Sequence, residues 1–324
     1  MNKTQACVLP AGVQVFERGW LSSNNILLTD EQNATLVDSG YATHSAQTLA
    51  LLERALPGRS LDQLVNTHLH SDHCGGNAAL QQRYPALDTR IPPGLAEPVQ
   101  AWRDEDLSYG RTGQTCPPFA ITGLLQPGST HRWAGLEWEV HAAPGHDPHS
   151  AILFSPEKRL LISADALWEN GFGVVFPELE GEAGFDDVAT SLDLIERLDP
   201  HTIIPGHGAV FADTAGALQR ARQKLEVFAR MPDKHARYGA KVLLKFKLQE
   251  FGRIARPDFL RWALQVPYLH TLHQTYGAGA GLQRAYHEET GAVVRVILNM
   301  GMRDREAVAL RGHVAGNGGN ACVF

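Results

Sequence analysis

Thr67-His68-Leu69-His70-Ser71-Asp72-His73-Cys74-Gly75-Gly76 places three histidines and a carboxylate within six positions, at the end of a β-patterned run from Leu61 to Thr67. Side chains two apart on an extended chain point to the same side, so His68 and His70 are expected to aim their imidazoles together. Asp72 and His73 follow in a turn that Gly75 and Gly76 can tighten before the next helix. Imidazoles and a carboxylate are the expected ligands of zinc or a similar divalent ion, and no thiolate is needed. An HxHxDH pattern arising by chance in this composition is on the order of one in a thousand.

Three later features stand where a strand gives way to a loop. Pro144-Gly145-His146 presents a histidine after a sharp turn, Asp165 ends the run Leu160 to Ile162 followed by Ser163-Ala164, and Pro205-Gly206-His207 follows Thr202 to Ile204. A single loop histidine is weak evidence. In this order the three complete a set of seven with His68, His70, Asp72 and His73.

This pattern resembles the metallo-β-lactamase fold superfamily at all seven positions, over roughly residues 8 to 213. The resemblance implies an α/β fold, an αββα sandwich with two metals at one edge. It further implies that His68, His70 and His146 bind the first ion, that Asp72, His73 and His207 bind the second, and that Asp165 bridges them. Two divalent ions about 3.5–4 Å apart share a water, lower its pKa toward ~7 and polarise the electrophile it attacks. Asp72 could accept a hydrogen bond from that hydroxide and carry a proton to the leaving group. Zinc is the expected metal, with iron or manganese accepted by the same nitrogen and oxygen ligands.

The resemblance also implies that thioesterases of the glyoxalase II kind, lactonases and nucleases keep a bridging Asp at the Asp165 position, while antibiotic-degrading enzymes generally do not. Trp168, where similar lactonases offer a Tyr, and the lack of a compact basic glutathione-binding signature leave no single substrate indicated. Trp168, Phe172 and Phe176 are candidates for an apolar substrate wall, and His149 for a hydrogen bond near the metals. Arg103 and Arg111 could meet an anionic substrate or simply face solvent. Cys74 reads as small packing.

Outward from the histidine cluster, the patterning predicts strands at Val13 to Phe16, Asn25 to Leu28, Ala34 to Val37, Leu136 to His141 and Ala151 to Phe154. Helices are expected at His44 to Leu56, Asn77 to Arg83 and Phe185 to Leu198. Residues 85–128, rich in Pro and Gly, read as an insertion overhanging the site. From about 214 helices dominate, the first ended by Pro232, with a strand at Ala292 to Leu298. The expected organisation is a catalytic domain over 1–214, a basic winged-helix-like domain over 215–311, and a flexible tail over 312–324.

A composition of 44% hydrophobic and 20% charged residues among 324 is that of an ordinary globular protein. No apolar run approaches the roughly 18–20 residues of a membrane span. The first residues match a signal peptide poorly, and the four scattered cysteines suggest no disulfide framework, so a cytoplasmic protein is expected. The net charge of −6 hides an asymmetry: residues 1–216 hold 12 Lys/Arg against 27 Asp/Glu, and residues 217–324 hold 17 against 8.

That basic part makes RNA the rival to a small-molecule substrate. A solvated helical face, or a complement to the acidic part within a subunit or across a homodimer, would need the same charges. Three functions follow: hydrolysis of a small ester, thioester or lactone; a ribonuclease using the basic module; and an iron-dependent oxygenase. The full second-metal ligand set weighs against the last.

Overall fold

A computed structural model describes residues 7–276 and the strand at 321–323. The chain divides into two compact units, one built from residues up to Leu107 with Thr115–Glu226, the other from Ser108–Gln114 with the chain from Val227 onward.

The first unit is built on two sheets. One has the order β1-β2-β3-β4-β5-β6, from Val13–Phe16, Asn25–Thr29, Ala34–Val37, Gln63–Val65, Asp88–Ile91 and Gly123–Leu124. The other has the order β11-β10-β9-β8-β7, where β7 is Thr130–Trp133, β8 Leu136–Ala142, β9 Ala151–Ser155, β10 Leu160–Ala164 and β11 Thr202–Pro205. Alternation along each strand sorts the side chains between two cores. Ile26, Leu28, Val37 and Val65 face Trp138, Val140, Leu153, Leu160, Ile162 and Ile204 in the core between the sheets. Their neighbours Leu27, Leu36 and Leu64 form a second core with Leu52 and Leu56 of the α1 region (α1, Ser45–Ala55) and Leu80, which lies two short helices on.

Those two helices are α2, Ser71–Cys74, and α3, Asn77–Arg83. Two more one- to two-turn helices follow, α4 (Ala96–Ala101) and α5 (Ser108–Thr112), and later α6 (Phe176–Leu179) and α7 (Phe185–Leu198). Every residue of β9 and β10 is buried. On the amphipathic α7, Val188, Leu192 and Ile195 are buried, and Ser191 Oγ donates to Pro144 O. The long helix α8, Thr214–Arg230, is tied to α7 by Arg222, which pairs with Asp193 and Glu196.

Several expectations need correction. Residues 85–128 are not merely an overhang, because β5 and β6 extend the first sheet by parallel pairing with β4 and with each other. That pairing is the physical reason, and within β5 it leaves Thr89 and Ile91 buried and Arg90 half-buried. Pro232 does not simply end a helix; it opens the next, α9 (Pro232–Phe251), where a missing N–H costs nothing.

The second unit contains α5, α9, α10 (Arg256–Gln265) and α11 (Pro267–Tyr276), with a two-stranded ribbon of β12 (Arg253–Ala255) and β13 (Ala321–Val323). Residues 321–323 therefore form a strand within the expected tail. The strand expected at 292–298 lies outside the described residues. Among the described residues no helix is long and apolar enough to cross a membrane.

Candidate metal centre

Four strand ends of the first unit deliver the candidate ligands. β4 stops at Val65, and the next residues leave the sheet under the control of Asp38, just past β3. Thr67 N–H donates to Asp38 Oδ1 and Thr67 Oγ to Asp38 Oδ2. His68 therefore sits in a bend and His70 at the N-cap of α2, neither on the strand, with their rings 4.7 Å apart and nearly perpendicular. α2 then carries Asp72 and His73.

Neither Gly75 nor Gly76 adopts a positive φ. They are required by close approach: a Cβ on Gly75 would stand 2.6 Å from Ala42 N, and one on Gly76 would stand 2.6 Å from Ser39 O.

All seven sequence candidates come together here. His68, His70 and His146 form one group, His68, His73 and Asp165 a second, and Asp72, His73 and His207 a third, each with ligand atoms within 4.8 Å of one another. Asp165 lies between the sets. Its Oδ2 is 3.3 Å from His146 Nε2, while its Oδ1 is 3.4 Å from His73 Nε2 and 3.9 Å from His207 Nε2. Asp72 Oδ2 is 3.1 Å from His207 Nε2. A Cβ on Gly206 would come within 2.2 Å of Asp165 Oδ1, so only glycine lets His207 reach this position.

The donor atoms fit a cation. His146 Nδ1–H donates to Val174 O at 2.5 Å, which leaves Nε2 as a lone pair, and that lone pair faces His70 Nδ1 at 2.7 Å. His73 Nδ1–H donates to Asp38 Oδ2 at 2.7 Å and leaves its own Nε2 for a ligand role. His68 Nε2, His73 Nε2 and His207 Nδ1 are buried without a hydrogen-bond partner. An unsatisfied buried group costs about 1–3 kcal/mol, and the Nε2 atoms of His68 and His73 are donors that a cation in the cluster would satisfy.

Electrostatics separates the imidazoles. Burial, then the facing His73 and His70 rings, hold His68 well below the ordinary value, and burial with His70 takes His146 to about 4. Burial also opposes charge on His73, but Asp38, Asp165 and Asp72 outweigh it and raise His73 well above 6.5. Burial works against ionised Asp165 too, yet His73 and His207 overcome it and hold the carboxyl well below the usual range.

Of the substrate candidates, Trp168 and Phe176 flank the candidate ligands. Trp168 Nε1–H donates to Asp165 Oδ1 at 3.2 Å, and Phe176 stands edge-on to His70 at 5.1 Å between ring centroids. Phe172 is a core residue, 1% exposed, with the Lys224 ammonium over its ring. His149 is exposed and lies against Gly94, and no contact with the seven residues is seen. Arg103 is occupied by Glu97 and Asp106.

Sequence reasoning missed Asp38, which reads as part of an Asp-Ser-Gly turn. It missed Asp147, whose Oδ2 is 3.8 Å from His70 Nε2. It also missed Trp20, 55% exposed, which stacks on His207 at 5.4 Å and meets Trp168 edge-on. Only Asp38 carried a signal, as a carboxylate ending a strand beside the histidine-bearing one.

Comparison with known proteins agrees with this geometry. The pattern of the Metallo-beta-lactamase superfamily matches residues 18–207. A hydroxyacylglutathione hydrolase of Synechococcus sp. (strain JA-3-3Ab) is 31% identical over 221 residues, 68% of this chain and 74% of the relative. A beta-lactamase-like protein 2 homolog of Drosophila melanogaster is 26% identical over 236 residues, 66% of this chain and 70% of that protein. Among solved structures, a metallo-beta-lactamase family protein of Thermus thermophilus aligns with a TM-score of 0.53 and 20% identity, over 82% of this chain and 94% of that one. A protein solved in a di-iron-bound form aligns with a TM-score of 0.51 and 25% identity, over 64% and 98%.

Proposed function

The chain belongs to the metallo-β-lactamase superfamily as a metal-dependent hydrolase, and from that premise we propose that it uses two divalent ions to hydrolyse a small thioester, ester or lactone. The observation that carries the two-ion reading is Asp165, whose two oxygens face different histidine sets. His68, His70 and His146 hold the first ion, Asp72, His73 and His207 the second, with zinc favoured over iron or manganese by the borderline donor set. The ions would supply an activated water at neutral pH and polarise the substrate carbonyl.

The chain's own residues do the rest. Asp38 fixes the His73 ring, and Val174 O fixes the His146 ring. Asp72, only partly buried, is placed to take the proton of the attacking water and pass it to the leaving group. Trp168 and Phe176 line the approach. Thioesters lead the substrate class because several relatives are named hydroxyacylglutathione hydrolase. Residues 1–214 form the catalytic domain of this reading.

A phosphodiester reading draws little from the basic stretch, where Arg220, Arg222, Arg237, Lys247 and Arg261 each pair with a carboxylate of the chain itself. Metal quantification, followed by turnover of thioesters, lactones, phosphodiesters and RNA, tests the reading. Asp72→Ala is expected to lower kcat/KM by about 10²–10⁴-fold while the fold persists, and His146→Ala to lose metal as well. Undiminished turnover by either folded variant would sink the mechanism.

A further inference from the structure

Two thiols meet beside the ligand helix. Cys74 closes α2 directly after His73 and is fully buried, and Cys116 lies half-buried in residues 114–121, which have no regular secondary structure. Their sulfurs are 3.8 Å apart, and both are reduced thiols. The metal pattern calls on neither. From this juxtaposition we infer that Cys74 and Cys116 form an oxidative modification site, a reversible disulfide that locks the 114–121 segment onto the helix carrying Asp72 and His73.

The accessible sulfur reacts first. Cys116 takes an oxygen from a peroxide, becoming a sulfenic acid and releasing water (or the alcohol, from an organic peroxide). Cys74 then attacks that sulfur, the S–S bond forms, and the hydroxyl leaves with the Cys74 proton as water. Two thiols and one hydrogen peroxide thus give one disulfide and two waters. Reduction by a dithiol reverses it.

Bonding requires the sulfurs to close from 3.8 Å to about 2.05 Å. Helix α2 has no room to give, since Gly75 is already wedged against Tyr41 and Ala42. The irregular Cys116 segment supplies the movement. It is anchored one residue earlier, where Thr115 N–H donates to Tyr41 Oη. Closing the bond completes a covalent and hydrogen-bonded ring from Tyr41 through Thr115 and Cys116 to Cys74, and the metal-holding residues stay where they are.

The test uses the metal-loaded full-length protein treated with stoichiometric hydrogen peroxide. Non-reducing tryptic mapping is expected to show residues 60–83 linked to residues 112–132 within one chain. Dithiothreitol should release the link, and Cys116→Ser, at a half-buried position, should abolish it without unfolding the protein. The linked protein should lose metal to a chelator at least about ten-fold more slowly than the reduced protein, because α2 must open for release and the cross-link restrains it.

The chelator measurement rests on the metal reading proposed above, whereas the peptide map does not, so failure of one is distinguishable from failure of the other. Sulfinic or sulfonic acid on Cys116 with Cys74 untouched would overturn the inference. So would a Cys116 link that appears only between chains.

Discussion

Asp38 accepts a hydrogen bond from the buried His73 ring and two more from Thr67. The same carboxylate thus orients one candidate ligand and shapes the turn that carries two others. Asp38→Asn keeps the size and loses the charge; metal affinity should fall about 10–100-fold, measured by competition with a chromophoric chelator. The raised His73 pKa adds a second consequence, because without metal the three carboxylates hold a proton there at neutral pH. Metal must displace that proton, so affinity should rise with pH up to the His73 value. Calorimetry in buffers of different ionisation enthalpy should detect about one proton released from this residue. His146, taken down to about 4, has none to release above neutrality. That these seven side chains meet was readable from an HxHxDH run and three strand-end residues. Asp38 was not, because its partnership spans 35 positions and depends on β3 lying parallel to β4, which local patterning does not encode.

Elements set how tightly the site is built. The loop after β11 passes so close to Asp165 that glycine is the residue that fits at 206. Gly206→Ala would force the carboxylate aside, and overpacking of this kind costs about 1–3 kcal/mol. The expected result is a folded protein with a lower denaturation midpoint and reduced metal content, measured by chemical denaturation and elemental analysis. Unchanged metal content would show that Asp165 is dispensable for holding an ion. Most central strands and helices were legible because alternation and helical spacing persist over several residues. Strands β5 and β6 were not. They are four and two residues long and sit among prolines and glycines, and parallel pairing with a neighbour, not their own pattern, makes them strands. Pro232 carried two meanings in sequence, a stop and a start, and only the backbone of α9 decides between them.

At the scale of the first unit, the candidate ligands follow β4 in one sheet and β8, β10 and β11 in the other, so a metal held by them would tie the edges of both sheets together. Ligand binding at about 100 times Kd adds about 2.7 kcal/mol of stability, roughly 5–10 °C for a unit of the first one's size. The size of the gap should depend on pH. His73 is raised, so its proton stabilises the metal-free fold fully below the unfolded imidazole value, and that stability is lost as pH rises through the folded value. Asp165 and Asp72 are lowered, so their contribution is present above the ordinary carboxylate value and lost as pH falls through their folded values. The chelated protein should therefore be most stable at mildly acidic pH and melt progressively lower as pH rises above the unfolded imidazole value and through the raised folded value of His73. The metal-loaded protein, whose cations replace that proton, should show no such decline. Paired thermal melts with and without chelator across that range measure the difference. A gap that does not widen with pH would mean that His73 carries no extra proton in the metal-free protein, and that carboxylate–imidazole contacts hold the edge without one.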